Sequence, residues 1–517
     1  MSNDNILIEW DNYHALTCLN YTHKGKIDVI YIDPPYNTGN KDFTYNDNYV
    51  DREDWYRHSK WLNFMSKRLE LAKNLLKNKW LIFISIDDNE QAQLKLLCDI
   101  IFWADNFINI FAWHKKYGWW NDNKNAVSEH EYILCYSKIS NPGEVLKDIE
   151  IDYNDIAKYD IDNEWNYFTA TESILMRWPN STPEKRPNLC YTIKTPDWND
   201  ILPREWKWTW CYSQDTLNTK LKKWELIWKK VNSKWMLFKK QLLFSKGEEI
   251  RGKKSRSILN YRYGIWQTGD GKTIIKDMFW TDAFSYPKPV SLIKHILKLS
   301  TDESSIILDF MAWSWTTGHA VLELNKEDGC NRKFILCTNN ELNGVWSALI
   351  KDNPNLDKES MGICRRVTYP RLQKAITWYK IFWTEDVIEW LEWNLQYYRT
   401  DLIPVEKIDN IDDKQRTELT EKAWRMIAIK ENTFDELELT EWYQVFASQD
   451  KQRKTAIYFR ESQKYFDELI QNIWETKTTL YIFSYGRIDK KLYRKLPKNI
   501  IIEDIPGQYS KYIRKSI

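Results

Sequence analysis

Along the first 145 residues, short apolar runs alternate with stretches whose apolar side chains recur every three or four positions. That rhythm predicts strands covered on both faces by helices. Asp28–Ile32 (DVIYI) and Leu81–Ile86 (LIFISI) are the clearest strands, and between them Trp61–Lys77 sets Leu62, Met65, Leu69, Leu71, Leu75 and Leu76 at helical spacing. The rhythm stops at about 146. From there to about 270 the chain is rich in Trp, Tyr, Asn and Lys and is interrupted by Pro179, Pro183, Pro187, Pro196 and Pro203, which marks an insertion or a separate module. Alternation resumes after 275 with a helix at Pro289–Leu299, a strand at Ser305–Asp309, a helix from Thr316 and a strand at Lys333–Cys337. From about 381 the pattern reads as helical and charged, with a short strand at Thr479–Phe483. The expected organisation is an α/β domain in two halves, 1–145 and 271–380, split by an insertion at 146–270 and followed by a helical or mixed C-terminal domain at 381–517.

Composition changes this picture in three places. The length of 517 residues accommodates about three or four domains at roughly 100–200 residues each. The 75 Lys+Arg and 73 Asp+Glu leave a net charge of +2, which conceals a basic stretch. Lys220–Arg256 holds thirteen Lys/Arg (220, 222, 223, 229, 230, 234, 239, 240, 246, 251, 253, 254, 256) against Glu225, Glu248 and Glu249. Most charge runs are solvated faces, but one interleaved with Trp, Phe and Tyr also suits phosphate contacts and base stacking. The eight cysteines (18, 98, 135, 190, 211, 330, 337, 364) include no Cys-x-x-Cys pair, so reduced, mostly buried thiols are expected and neither a zinc ribbon nor a disulfide framework is indicated. No cationic segment followed by an apolar run opens the chain and no stretch of 18 apolar residues occurs, which points to a soluble, cytoplasmic-type chain with no membrane partner. The third departure is in glycine: 29 Trp stand against only 15 Gly, where a glycine content of roughly 7% would supply about 36.

Two segments bear chemistry. Strand Asp28–Ile32 runs straight into Asp33-Pro34-Pro35-Tyr36, at the strand end where open α/β sheets bind ligands. The prolines fix φ and donate no hydrogen bond, so the turn can hold the Asp33 carboxylate and the Pro34 carbonyl as preset acceptors. Two acceptors suit one exocyclic amine, and Tyr36 offers a flat face on which a base taken out of a duplex could stack. The second segment runs from Leu308 to Ala320, where a strand enters a tight loop and then a helix, a form that brings backbone close to a cofactor. Glycines belong in such a loop, yet Trp313 and Trp315 stand there.

The chain resembles the β-class DNA adenine-N6 methyltransferases, and in particular the modification subunit of type III restriction systems. The likeness runs through Ile6–Asn12, Ile27–Asn40, Leu81–Asn89, Glu129–Tyr132, Tyr286–Leu292, Ile307–Ala320, Asn331–Glu341, Gly362–Tyr369, Asn394–Pro404 and Ile427–Phe434. It implies a Rossmann-like, S-adenosylmethionine-dependent methyltransferase sheet with an inserted target-recognition region and an α-rich C-terminal domain. By position it implies that Asp33, Pro34, Pro35 and Tyr36 hold the flipped adenine and draw on its N6 amine. Asp309, Phe310, Ala312, Trp313, Trp315, Thr316, Thr317 and Gly318 would hold the amino-acid end of the cofactor, helped by Lys288, Pro289 and Ser291. Glu341 would bind the ribose hydroxyls and Asp11 would read the cofactor's adenine. The implied partners are double-stranded DNA, a second copy of the chain and a helicase-nuclease restriction subunit, with no metal needed for methyl transfer. Three other readings stay open. An N4-cytosine enzyme usually has Ser in place of Asp33; a non-catalytic DNA-recognition subunit would suit a filled loop; a protein-glutamine methyltransferase shares the Pro-Pro-Tyr turn but not the basic insertion or the motif order.

The family's cofactor loop reads Asp-Phe-Phe-Ala-Gly-Ser-Gly-Thr-Thr-Gly, so the departures at 313 and 315 put Trp for Gly. Trp80, Trp103, Trp224 and Trp378 each follow an amphipathic helix where a left-handed residue normally ends it. Trp10, Trp393 and at least one of Trp119 and Trp120 also stand at family glycines. One codon read with the wrong code would produce this, and UGA is the candidate because bacterial codes read it as stop, tryptophan or glycine. Gly and Trp together number 44, enough for the roughly 36 expected glycines and several true tryptophans, among which Trp61, Trp113 and Trp208 fit by pattern. The alternative is a decayed enzyme with a blocked loop.

Overall fold

The computed structural model describes residues 4–504 except 40–43, 46–47, 52, 118–124, 138–144, 150–155, 157–158, 162–166, 179, 204–207, 245–251, 281–283, 285, 343–352, 354, 356, 381–386, 390–393, 400–423, 459–464 and 483–495. The chain divides into two compact units, one of residues 1–146 with 256–517 and one of 147–255.

The larger unit is built on β1 (Asp4–Glu9), α1 (Asn12–Thr22), β2 (Ile27–Ile32), α2 (Arg57–Leu75), β3 (Leu76–Ile86), α3 (Gln91–Phe102), β4 (Phe107–His114) and β5 (His130–Ser137). After the insertion come β6 (Ile258–Leu259), α4 (Thr268–Phe279), α5 (Val290–Ser300), β7 (Ile306–Asp309), α6 (Thr316–Asp328), β8 (Lys333–Thr338), α7 (Tyr369–Thr377) and β9 (Asn394–Arg399). Nine strands form one sheet in the order β6-β4-β5-β3-β2-β7-β8-β1-β9. Only β5 runs against the others, pairing antiparallel with β3 and β4. Side chains alternate between the two faces, as period-2 geometry requires. Ile30, Ile32, Ile82 and Ile84 pack with Leu16, Leu69 and Leu94 of α1 to α3, whereas Val29, Tyr31, Leu81 and Phe83 pack with Ile293, Leu297, Val321 and Leu324 of α5 and α6. That double burial is why the strands read as continuous apolar runs.

The predicted elements hold with small shifts. The helix between the first two strands ends at Leu75 rather than Lys77, because Leu76 pairs with Ile27 and opens β3. Lys77, beyond that junction, lies 2.7 Å from Asp28 at the foot of β2. The sheet extends past the expected boundary at 380, since β9 pairs with β1 along its whole length.

The tail differs more. Beyond β9, helix occurs at 424–431 and at α8 (Phe466–Ile473), but the described chain is otherwise built around a five-stranded sheet, where the sequence pattern predicts helices and a single short strand at 479–483. Its strands are β10 (Asp435–Leu439), β11 (Tyr443–Ala447), β12 (Arg453–Tyr458), β13 (Lys477–Ile482) and β14 (Ile500–Asp504), in chain order across the sheet. Tyr443, Val445, Ala456 and Leu480 pack with Leu469 and Ile473 of α8 on one face. Phe446, Ile457 and Tyr481 pack with Ile427 and with Tyr21 of α1 on the other. The three central strands, five or six residues long, largely buried and flanked by charges, give no clean alternation, so the charged flanks dominate the sequence pattern.

The 147–255 unit encloses Ile174, Leu175, Ile193, Trp210, Leu217, Leu226 and Leu237. A helix at Gln214–Lys222, capped by Ser213, precedes a hairpin of Leu226–Val231 and Lys234–Lys239. Asn232 and Ser233 supply the two positive φ angles that its two-residue turn needs. The unit ends about fifteen residues earlier than the expected 270, because β6 and α4 rejoin the larger unit. Lys246 and Arg251 of the basic run, and Pro179, lie outside the described residues. No helix among the described residues is long and apolar enough to cross a membrane.

Asn5 is fully buried on β1; its Oδ1 accepts the Phe334 backbone N–H of β8 at 2.9 Å, and its Nδ2 donates to the Asn394 carbonyl of β9. Asn5→Ala strands that N–H, and the expected loss is about 1–3 kcal/mol, read as a lower denaturant midpoint with unchanged m-value.

Candidate active site

Four neighbouring parallel strands end along one edge of the sheet in the order β2, β7, β8, β1, and a carboxylate follows or closes each. Asp33 follows β2, Asp309 closes β7, Glu341 lies beyond β8 and Asp11 beyond β1. The chain leaves β2 toward β3 on one side and β7 toward β8 on the other, so Asp33 and Asp309 flank the switch point at which open sheets form a crevice.

At the first strand end a closed polar cluster forms. Lys288 Nζ donates to both oxygens of Asp33, at 2.9 and 2.8 Å, and to the Tyr36 hydroxyl at 2.9 Å. The Tyr36 hydroxyl lies 2.9 Å from Asp33 Oδ1 and 3.1 Å from Glu131 Oε2. Glu131, on β5, is also 3.4 Å from Lys288 and 3.3 Å from Lys115. Burial alone would lower the Lys288 pKa, but the charges of Asp33 and Glu131 outweigh it and hold the ammonium above its ordinary value. Burial pulls Glu131 the other way, yet Lys288 and Lys115 keep it below the usual carboxylate range. For Asp33 burial wins over Lys288, and its carboxyl is raised. The turn itself is clamped from outside. Trp61 Nε1 donates to the Pro35 carbonyl and Trp313 Nε1 to the Asp33 carbonyl, each at 2.7 Å. Among the described residues no hydrogen bond reaches the Pro34 carbonyl between them.

The second strand end enters the loop to α6. Asp309 Oδ1 accepts the Met311 N–H at 3.0 Å and Oδ2 the Thr317 hydroxyl at 2.5 Å. Phe310, Ala312, Thr316 and Thr317 are buried, and the Thr316 hydroxyl donates to the Lys288 carbonyl at 3.1 Å, tying the loop to the cluster. Arg371, fully buried on α7, donates to the Ser314 carbonyl at 2.7 Å. Trp315 is also fully buried, with its indole nitrogen unpartnered and its ring pressed onto Gly318, 2.2 Å from where a Cβ would stand.

A family model described as DNA methylase, of the N6/N4 type, matches residues 27–343, from the Asp33 turn through the Asp309 loop. The chain belongs to the N6/N4 DNA methylase family. It is similar to the Mod subunit of the type III restriction-modification enzyme StyLTI of Salmonella typhimurium, with 33% identity over 360 residues, 65% of this chain and 52% of that one. It is also similar to the type II methyltransferase M.KpnI of Klebsiella pneumoniae, with 32% identity over 340 residues, 64% of this chain and 79% of that one. The match spans little more than half the length of two type III relatives, 52% for StyLTI and 58% for the EcoPI Mod subunit of Escherichia phage P1. The solved PvuII DNA methyltransferase (cytosine-N4-specific) overlaps 72% of this chain and 93% of its own at 12% identity and a TM-score of 0.35, a likeness too loose to bear on chemistry.

The methylase residues named from sequence fall into two groups. Asp33, Pro34, Pro35, Tyr36, Lys288 and the Asp309–Gly318 loop come together. Pro289 leads into α5, and Ser291, in its first turn, accepts the Trp266 N–H at 2.9 Å. Asp11 and Glu341 form the second group, two strands along the edge. Asp11 caps α1 and lies 3.0 Å from Arg68. Glu341, an exposed residue, accepts from Asn339. Glu131 has no role assigned from sequence. Its signal is its place on β5, two and four residues before Ile133 and Cys135 on the buried face, where a carboxylate needs a partner.

Burial pushes the Asp309 carboxyl up to about 7, against its two hydrogen bonds. An acid that holds its proton more tightly when folded loses stability as pH rises from the unfolded value through the folded one, here from about 4 to 7. Asp309→Asn is therefore expected to be stability-neutral near pH 4 and stabilising at pH 8, by on the order of 4 kcal/mol at most, as read from urea midpoints at the two pH values.

Proposed function

We propose that this chain is the modification subunit of a type III restriction-modification system, transferring a methyl group from S-adenosylmethionine to N6 of an adenine flipped out of double-stranded DNA. The observation that carries the reading is the Asp33 carboxylate at the switch point, which already accepts two hydrogen bonds from a nitrogen donor, the Lys288 ammonium. An exocyclic amine needs that same acceptor. The Pro34 carbonyl is the second, because among the described residues no hydrogen bond reaches it and Trp61 takes up the Pro35 carbonyl beside it. Tyr36 offers its ring to the base, and Lys288 yields Asp33 as the amine enters, still paired with Glu131. Positioning and paired acceptors are what such a transfer asks of the protein. N4 of cytosine is the competing target within this family, and the Mod subunits among its relatives favour adenine.

The row of carboxylates from Asp33 to Asp11 spans four strands, or roughly 14 Å at the usual strand spacing, a length that suits an elongated amino-acid-nucleoside cofactor. The loop as it stands does not fit that cofactor's methionine end. The Trp315 indole covers Gly318, and Trp313 closes the gap to Asp33. This favours one other reading, a DNA-recognition subunit without catalysis. Calorimetry with S-adenosylmethionine on the Trp313→Gly, Trp315→Gly chain separates the two: no binding heat supports recognition alone.

Target recognition is assigned to 147–255, where 20 Lys+Arg stand against 16 Asp+Glu. Four lysines of the basic run, 220, 229, 239 and 254, are ion-paired to Glu225, Asp160, Glu172 and Asp148, so its positive field is weaker than the count implies. Lys230 lies over the Trp235 ring at 4.8 Å on the hairpin, a pairing of cation and flat surface that suits a nucleic-acid strand. A second copy of the chain and a restriction subunit are the proposed protein partners.

DNA from cells expressing the doubly substituted chain is expected to contain N6-methyladenine at one short sequence, and Asp33→Ala to reduce it at least about 100-fold. N4-methylcytosine in its place, or undiminished methylation by Asp33→Ala, would refute the assignment. Lys288 opposes the rise in the Asp33 pKa. Lys288→Met is accordingly expected to move the acidic limb of the pH–rate profile to higher pH, and an unmoved limb would dissociate Asp33 from that ionisation.

A further inference from the structure

Six tryptophans have positive φ: Trp103 at 70°, Trp198 at 64°, Trp224 at 56°, Trp280 at 60°, Trp313 at 40° and Trp315 at 73°. Among the described residues they outnumber the positive-φ glycines, which are Gly25, Gly39, Gly264 and Gly329. The other non-glycine cases are three asparagines, Ser233 and Lys451. Asparagine tolerates this backbone through its short polar side chain, whereas a bulky ring gains nothing from it.

Three of the tryptophans also stand where a recognised backbone motif asks for glycine. After the Gln214–Lys222 helix, the Trp224 N–H bonds the Leu221 carbonyl at 3.1 Å and the Glu225 N–H bonds Lys220 at 3.0 Å, the two bonds of a Schellman motif with Trp224 at its left-handed position. Past α4, the Trp280 N–H reaches the Lys276 carbonyl at 2.7 Å, the single bond of the simpler left-handed cap. Trp198 completes Thr195-Pro196-Asp197-Trp198-Asn199, a turn closed by the Trp198 N–H to Thr195 at 2.9 Å, where Pro-Asp-Gly is the usual sequence. Trp103 follows α3 with φ 70° and ψ 135°, outside the regions open to a residue with a Cβ. Trp313 and Trp315 make the tight turn from β7 into α6.

Four of the six side chains stand mostly in solvent. Trp103, Trp198, Trp224 and Trp280 are 61–81% exposed, and the Trp315 indole nitrogen is buried without a partner. Trp61, Trp113 and Trp210 differ from all six in backbone angle and from the four exposed ones in burial. They have no positive φ, are at most 5% exposed, and donate their indole N–H to the carbonyls of Pro35, Trp266 and Tyr191. Trp10, Trp80 and Trp378, flagged from sequence, have no positive φ, the last two lying in strands, so the backbone makes no demand for glycine there. Trp119, Trp120 and Trp393 lie outside the described residues.

We infer that Trp103, Trp198, Trp224, Trp280, Trp313 and Trp315 are glycines in the protein as its own cells make it, encoded by a codon, UGA, that this sequence renders as tryptophan. The loop then reads Asp-Phe-Met-Ala-Gly-Ser-Gly-Thr-Thr-Gly, and loss of the two indoles opens the space between Asp33 and Gly318. That last consequence rests on the cofactor reading given above; the six assignments do not.

The test is peptide mass spectrometry of the protein isolated from its source cells, with the gene's codons read alongside. Glycine at the six positions and tryptophan at 61, 113 and 210, with UGA for the first set and UGG for the second, is the expected result. Tryptophan in the peptides at 313 and 315, or UGG at the six codons, overturns the inference. The full chain with all six changed to Gly is further expected to melt at a higher temperature than the tryptophan chain and to bind S-adenosylmethionine where the latter does not. Glycine in the native peptides with no cofactor binding by the six-glycine chain would uphold the assignment and refute the cofactor reading instead.

Discussion

A single buried ammonium organises the polar end of the sheet. Lys288 is nine-tenths buried and shared between Asp33 and Glu131, which come from β2 and β5, while Lys288 itself precedes α5. A lone charge at that depth would be costly, and so would either carboxylate without the cation. The three segments must therefore arrive together, and the Asp33-Pro34-Pro35-Tyr36 turn is held in shape by charges that also prepare it to receive a nitrogen donor. Trp61 adds a neutral clamp at Pro35. Structure and chemistry use the same contacts here, which places the turn under two constraints at once.

The neighbouring loop is constrained in the opposite sense. Its hydrogen bonds from Met311 and Thr317 to Asp309, and from Arg371 to Ser314, define a tight backbone path. That path requires left-handed residues at two places now filled by indoles. A left-handed conformation costs about 1–2 kcal/mol in a residue with a Cβ, so the six tryptophans together would cost about 6–12 kcal/mol. The net stability of a whole domain is only about 5–15 kcal/mol. Real side chains do occupy strained backbone at functional sites, but four of these six stand at exposed turns and helix ends outside the candidate active site.

The smaller unit shows why a local charge count is a poor guide to a binding face. Thirteen cations within 37 residues look like a nucleic-acid surface, yet the fold brings acidic side chains from before residue 220 onto three of them, Lys229, Lys239 and Lys254. What survives as a distinctive surface is the hairpin, with Lys230 over Trp235 and Trp228 set edge-on to Trp235.

The amino-acid sequence alone determined the α/β rhythm, the placement of Asp33 after a buried strand and of Asp309 before a helix, and the interruption between the two halves. Those features are written in local periodicity and in the backbone limits of Pro and Gly, which need no knowledge of what lies across the fold. It also marked the excess of tryptophan at helix ends, because the demand for a left-handed terminator is local too. Only the tertiary structure decided that Glu131 and Lys288, 157 positions apart, share one cluster, since neither has a local pattern that names its partner. The same holds for the tail, whose short central strands are largely buried and reveal themselves only once they pair. And only backbone angles could separate the six tryptophans that stand where glycine belongs from Trp61, Trp113 and Trp210, because composition counts residues whereas φ states what each position can accept.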